Sequence, residues 1–92
     1  MTFEIRYHAD VKSDIAVLNE SIKRRIKTAI EKRLVVSPHQ YGKPLRKTLK
    51  GYWKMRVGDY RVVFKIVKDE VRVFGIIHRK DVYKEVEKRI LN

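Results

Sequence analysis

The chain opens on an alternation. Phe3, Ile5 and Tyr7 interleave with Thr2, Glu4 and Arg6, which predicts a short strand over residues 2–7. The period then lengthens. Asp10 has the chemistry of an N-cap for a helix carrying Val11, Ile15 and Leu18 on one side. Asn19 interrupts that pattern and a second helix follows, with Ile22, Ile26, Ala29 and Ile30 on one face and Lys23, Arg24, Lys27 and Lys32 around the rest. The two helices read as a hairpin packed on a sheet. Ser37-Pro38 ends the second helix, because the residue before proline disfavours helical backbone. Residues 37–50 then read as a linking loop with Gly42, Pro44 and several cations.

The remainder is a meander. Tyr52–Val57, Tyr60–Lys68 and Val71–His78 alternate as strands, with Gly58-Asp59 and Asp69-Glu70 as turns. Asp81–Leu91 closes the chain as a helix with Val82, Val86 and Ile90 inward. The predicted class is α+β, in the order β-α-α-β-β-β-α, as one domain over residues 1–92.

Two-residue turns fix register. Across Gly58-Asp59, Val57 pairs with Tyr60, Arg56 with Arg61, Met55 with Val62 and Lys54 with Val63. Across Asp69-Glu70, Lys68 pairs with Val71 and Arg61 therefore with His78, provided that no bulge intervenes. One sheet face then holds Trp53, Met55, Val57, Tyr60, Val62, Phe64, Ile66, Val73, Gly75 and Ile77 as core. The other holds Lys54, Arg56, Arg61 and His78, with Val63 and Ile76, so that Arg56, Arg61 and His78 form one row. Like charges set opposite one another are unfavourable unless an anion sits between them. Arginine forks match phosphate, so the row predicts a phosphate site.

Charge strengthens that reading. Lys and Arg number 23 against 11 acids, a net +12, which points to a polyanionic partner and to nucleic acid first. The chain has no cysteine, which removes disulfides and thiolate metal sites; no signal peptide is expected from its charged start, and no apolar stretch approaches the roughly 20 residues of a membrane span. A cytoplasmic location is expected. His8 and His39 lack metal-ligand spacing and read as ordinary surface or loop residues.

The run from Leu45-Arg46 through Gly51-Tyr52-Trp53-Lys54-Met55-Arg56-Val57-Gly58-Asp59-Tyr60-Arg61-Val62-Val63-Phe64 resembles the central motif of the RelE/ParE toxin superfamily. Ile77-His78-Arg79-Lys80-Asp81-Val82-Tyr83 resembles its C-terminal motif, and the element order matches over the whole chain. The resemblance implies a ribosome-dependent mRNA endonuclease of the RelE branch, without metal or cofactor, neutralised by a protein antitoxin. It implies that the RNA's own 2′-hydroxyl attacks the adjacent phosphate. Lys54 and Arg56 match the basic strand positions, Arg61 the hairpin arginine, and Arg79 and Tyr83 the C-terminal pair. His78 stands where other members differ.

That chemistry needs a base, charge stabilisation and an acid. Arg61 is the expected phosphate clamp, assisted by Arg56. Arg79 is expected beside the leaving group, His78 as acid or base, Lys54 as a candidate base, and Tyr83 as an orienting or stacking group. Lys47 and Lys50 are expected to bind RNA alongside Lys54, Arg56 and Arg61, and the basic second helix to add affinity for ribosomal RNA. The net charge predicts an acidic antitoxin that covers the basic face or displaces the last helix. Two other readings keep the fold: a ParE-like toxin that inhibits DNA gyrase by binding, and a non-cleaving RNA-binding member.

Overall fold

The computed structural model describes residues 2–46 and 49–91, Leu91 by its backbone alone. The strands are β1 (Glu4–Tyr7), β2 (Lys43–Pro44), β3 (Tyr52–Val57), β4 (Tyr60–Val67) and β5 (Glu70–His78). They form one sheet in the order β1-β5-β4-β3-β2. Strands β5, β4, β3 and β2 pair antiparallel, while β1 lies parallel to the first half of β5, Glu4 opposite Glu70 and Tyr7 opposite Val73.

The helical hairpin is α1 (Ala9–Ala16) and α2 (Glu20–Ala29). The cap of α1 is His8 rather than Asp10: His8 Nδ1 accepts from the Asp10 N–H at 3.1 Å, and Asp10 sits in the first turn, where its charge favours the helix dipole. Asn19 caps α2 by accepting from the Ile22 N–H at 2.9 Å. Helix α2 does not stop at Ala29 but runs on through a π-helical turn, Ile30–Leu34, whose Ile30 and Leu34 are buried. The expected linking loop carries structure of its own: α3 (Pro38–Tyr41), the short β2, and two buried leucines, Leu45 and Leu49. Gly42 is needed there, since a Cβ would lie 2.5 Å from Phe64 Cζ. The closing helix is α4 (Val82–Leu91).

Hydrophobic burial is split between the two faces of the sheet. On one, α1 and α2 cover Met55, Val57, Val62, Phe64, Val71, Val73 and Ile76. On the other, Leu45, Leu49, Val63, Ile77, Val82 and Val86 form a second cluster beneath α4. The face expected to be open and cationic is therefore half covered.

The first hairpin has the expected register, Arg56 opposite Arg61 and Lys54 opposite Val63. The second does not. Its loop is Lys68-Asp69, with Val67 opposite Glu70, and the register shifts between Val63 and Phe64, leaving Phe74 as the extra residue. His78 consequently pairs with Tyr60, and Arg61 with Ile77, so the expected row of Arg56, Arg61 and His78 does not form. Strict alternation would have put Gly75 in the main core and left Ile76 on the far face. The bulge instead puts Ile76 in the main core and Ile77 in the second cluster, and leaves Gly75, which has no side chain, against the Arg89 guanidinium. The early turn requires Lys68 at a φ of 57°, tolerated in an exposed loop.

Candidate active site

The second cluster places a cationic site at its rim. Tyr83, in the first turn of α4, lies between two cations: Lys54 Nζ is 5.4 Å and the Arg46 guanidinium carbon 5.8 Å from its ring centroid. Lys54 reaches this position from β3, where its neighbour across the strand is buried Val63. Arg46 comes from the segment between β2 and β3, between the buried Leu45 and Leu49 that seat it. The Tyr83 hydroxyl is itself buried, and no described residue makes a well-formed hydrogen bond to it. Arg46 foremost, and then Lys54, hold its pKa below the usual phenol value against the opposing effect of burial.

Of the remaining expected residues, Arg56 and Arg61 lie on the β3–β4 hairpin and Arg79 is tied to its turn. Arg61 is half-buried and folded back on the turn, with Nη1 donating to the carbonyls of Gly58 at 3.2 Å and Tyr60 at 3.0 Å. Its fork is thus held in place with other donors left over for a ligand. Arg56, opposite it, is exposed. Arg79 follows β5 and is tied to the same turn: its N–H donates to the Asp59 carbonyl at 2.8 Å, and its Nε stands 3.8 Å from an Asp59 carboxylate oxygen. His78 is on the opposite face, edge-on to Tyr60 with centroids 5.5 Å apart, and its Nδ1 accepts from the Lys80 N–H at 3.3 Å. Lys50 is exposed in the turn before β3, and Lys47 lies outside the described residues.

The structure therefore brings Lys54 together with Tyr83, sets Arg56, Arg61 and Arg79 around the hairpin turn, and separates His78 from them. Sequence reasoning gave Arg46 no role because residues 37–50 read as a loop. Leu45 and Leu49, four apart and flanking a cation, were the available signal that this segment packs.

A second cationic feature lies on the other side of β3. A groove of about 670 Å³ runs between α2 and the hairpin, lined by Arg24, Arg25, Lys32, Arg33 and Arg56. Among the described residues, none of these five forms an ion pair with a carboxylate. Strand β2 covers β3 only at Trp53 and Lys54, so the edge at Arg56 and Val57 faces this groove without a strand partner.

Residues 5–83 match the sequence profile of a family described as the ParE toxin of type II toxin–antitoxin systems, parDE. The chain is 37% identical over 76 residues to toxin RelE of Mycobacterium tuberculosis, covering 83% of this chain and 77% of that one. It is 28% identical over 86 residues to toxin RelG of the same organism, covering 91% and 99%. Its fold superposes on a chain of the RelBE2 toxin–antitoxin complex from M. tuberculosis with a TM-score of 0.80 and 26% identity, covering 86% of this chain and 100% of that chain.

Proposed function

Since this chain belongs to the RelE/ParE family of type II toxin–antitoxin toxins, we propose that it is an endoribonuclease that cleaves mRNA on the ribosome and so arrests translation. The observation that carries this reading is the convergence of Tyr83, Arg46 and Lys54 at the rim of the second cluster, both cations within 6 Å of the Tyr83 ring centroid. In the proposed reaction the 2′-oxygen of the RNA attacks the adjacent phosphorus and the P–O5′ bond breaks. The products are a 2′,3′-cyclic phosphate and a free 5′-hydroxyl. The 2′-hydroxyl proton passes to a base, and the leaving 5′-oxygen takes up a proton from water. Arg61, braced on the hairpin turn, clamps the phosphate, and Arg46, Lys54 and Arg56 oppose the charge that builds on its oxygens. Tyr83, with its lowered pKa, is the group best suited to accept the 2′-hydroxyl proton. Arg79 adds charge at the leaving oxygen. His78, on the far face, is assigned no proton transfer. The groove of Arg24, Arg25, Lys32 and Arg33 follows the backbone of structured RNA, in keeping with the ribosome as the place of action.

An acidic antitoxin is the proposed inhibitor. Several solved relatives are toxins in complex with antitoxins. The charge of +12 favours an acidic chain and fast, steered association. Between α1 and α2 an apolar cleft of about 600 Å³, with Ile15, Ile26 and Ile30 in its wall and Lys12, Lys23 and Lys27 beside them, suits an amphipathic acidic segment.

The test is primer extension on an mRNA in a reconstituted translation reaction. Wild type should cut only when ribosomes are present. Arg61→Ala and Tyr83→Phe should each lose about 10²-fold or more in rate, and His78→Ala should stay within about threefold. An intact mRNA with normal translation would sink the nuclease reading. A gyrase supercoiling assay would then test the reading that the parDE description of the matching family favours.

A further inference from the structure

The two faces of the sheet are joined at one edge by a pair of charges. Strand β1 covers β5 only as far as Val73, so the second half of β5 has an edge without a strand partner. Side chains fill it. Asp14 of α1 accepts from the Ile76 N–H at 3.0 Å, and Arg89 of α4 donates to the Phe74 carbonyl at 3.3 Å. The two side chains meet in a fork-to-fork pair, Nη1 to Oδ2 at 2.9 Å and Nη2 to Oδ1 at 2.6 Å. Both are largely buried, 14% and 12% exposed. Asp10 and Glu85 stand farther from the guanidinium, at 3.8 and 3.9 Å. Space for it exists because residue 75 is glycine: a Cβ there would lie 2.6 Å from Arg89 Nη1.

We propose that Asp14 and Arg89 are a positioning pair that fixes α4 along its axis and thereby keeps Tyr83 between Arg46 and Lys54. The inference rests on the nuclease reading for its consequence in rate, though not for its geometry. Val82 and Val86 already hold one side of α4 against the sheet. Apolar burial is non-directional, however, and tolerates sliding, whereas a two-bond fork does not. Arg89 lies six residues beyond Tyr83, about 9 Å along the helix, so an axial shift at one is transmitted rigidly to the other.

The experiment compares wild type with Asp14→Asn, Arg89→Lys, Arg89→Ala and the exchanged pair Asp14→Arg with Arg89→Asp. Three quantities are read: amide exchange across residues 82–90, the titration of Tyr83 followed by carbon NMR of labelled tyrosine, and the rate of mRNA cleavage. Single variants should speed amide exchange in α4 at least tenfold while β3 and β4 keep their protection. They should move the Tyr83 titration towards that of a free phenol, and lower kcat about tenfold with KM changed less than threefold. The exchanged pair should recover part of each. Arg89→Lys, which keeps the charge and stem but not the fork, and Asp14→Asn, which keeps the shape, carry the test should Arg89→Ala unfold. Unchanged exchange in α4 together with an unchanged Tyr83 titration in the folded variants would overturn the proposal. Those two readings decide it even if wild type cuts no RNA, so failure of the nuclease reading remains distinguishable.

Discussion

Tyr83 shows how much of the candidate chemistry depends on single contacts. Its ring lies beside two cations and its hydroxyl is shielded from water. Arg46 is the larger cause of its lowered pKa and Lys54 the lesser. The sign follows directly: a nearby positive charge favours the phenolate, so removing it raises the pKa. Arg46→Ala should therefore shift the Tyr83 titration upwards, by more than Lys54→Ala does, in an NMR titration of labelled tyrosine. A depressed phenol also contributes stability that is present above the unfolded value, about 10, and is lost as pH falls through the folded value. If Tyr83 is the base, the rate of cleavage should rise with pH through its folded pKa, and in Arg46→Ala that rise should move to higher pH.

At the scale of elements, the bulge in β5 is the feature on which most else turns. It changes which side chains face α4, frees the Phe74 carbonyl and Ile76 N–H for Arg89 and Asp14, and moves His78 to the far face. Gly75 follows its extra residue, and an added Cβ there would meet Arg89 Nη1 at 2.6 Å and Ile77 Cδ1 at 2.9 Å. Arg89 cannot swing clear without leaving Asp14, so the contact is not relieved cheaply. Gly75→Ala should destabilise the fold by about 1–3 kcal/mol, measurable as a lower urea midpoint with unchanged slope. Asp14→Ala should cost about 3 kcal/mol, because it strands a largely buried guanidinium and the Ile76 N–H. A wild-type midpoint for either variant would show that the contacts of Gly75, Arg89 and Asp14 do not hold the bulge in place.

The whole molecule carries +12, yet its cations divide into two groups with different expected roles. Those at the rim of α4 and the hairpin turn stand around the Tyr83 hydroxyl and the arginine fork. Those of the α2 groove surround about 670 Å³ of open space and have no carboxylate partner among the described residues. Phosphate contacts of the second kind release counterions, so each should contribute about one unit to the slope of log K against log salt. Arg24→Ala and Lys32→Ala should each weaken RNA binding and lower that slope by about one, read by fluorescence anisotropy over a salt series. Cleavage by ribosome-bound protein should fall less in these variants than in Tyr83→Phe. Equal slopes in wild type and variants would assign the groove to something other than RNA. No helix among the described residues is long and apolar enough to cross a membrane.

The linear order of residues determined the α+β class, the helical hairpin, the first strand pair with Arg56 opposite Arg61, and the inward faces of α2 and α4. These follow from local periods and from a turn, Gly58-Asp59, whose glycine takes a φ of 61° without strain. Sequence resemblance also marked Lys54 and Tyr83, though not their proximity. Tertiary structure decided the rest. Val71–His78 reads equally well in either register, and the choice fell to what packs on each face, Ile76 entering the main core, Ile77 the second cluster, and Gly75 lying against Arg89 from α4. Arg46 acquired its position because Leu45 and Leu49 needed cover that α4 and β4 provide. Asp14 and Arg89, seventy-five residues apart, met because β1 ends early and the bulge turns backbone groups onto the edge left open. A pattern of period two or three and a half reports on neighbours along the chain; a bulge, a second core and a charge pair across an edge are set by what packs from elsewhere.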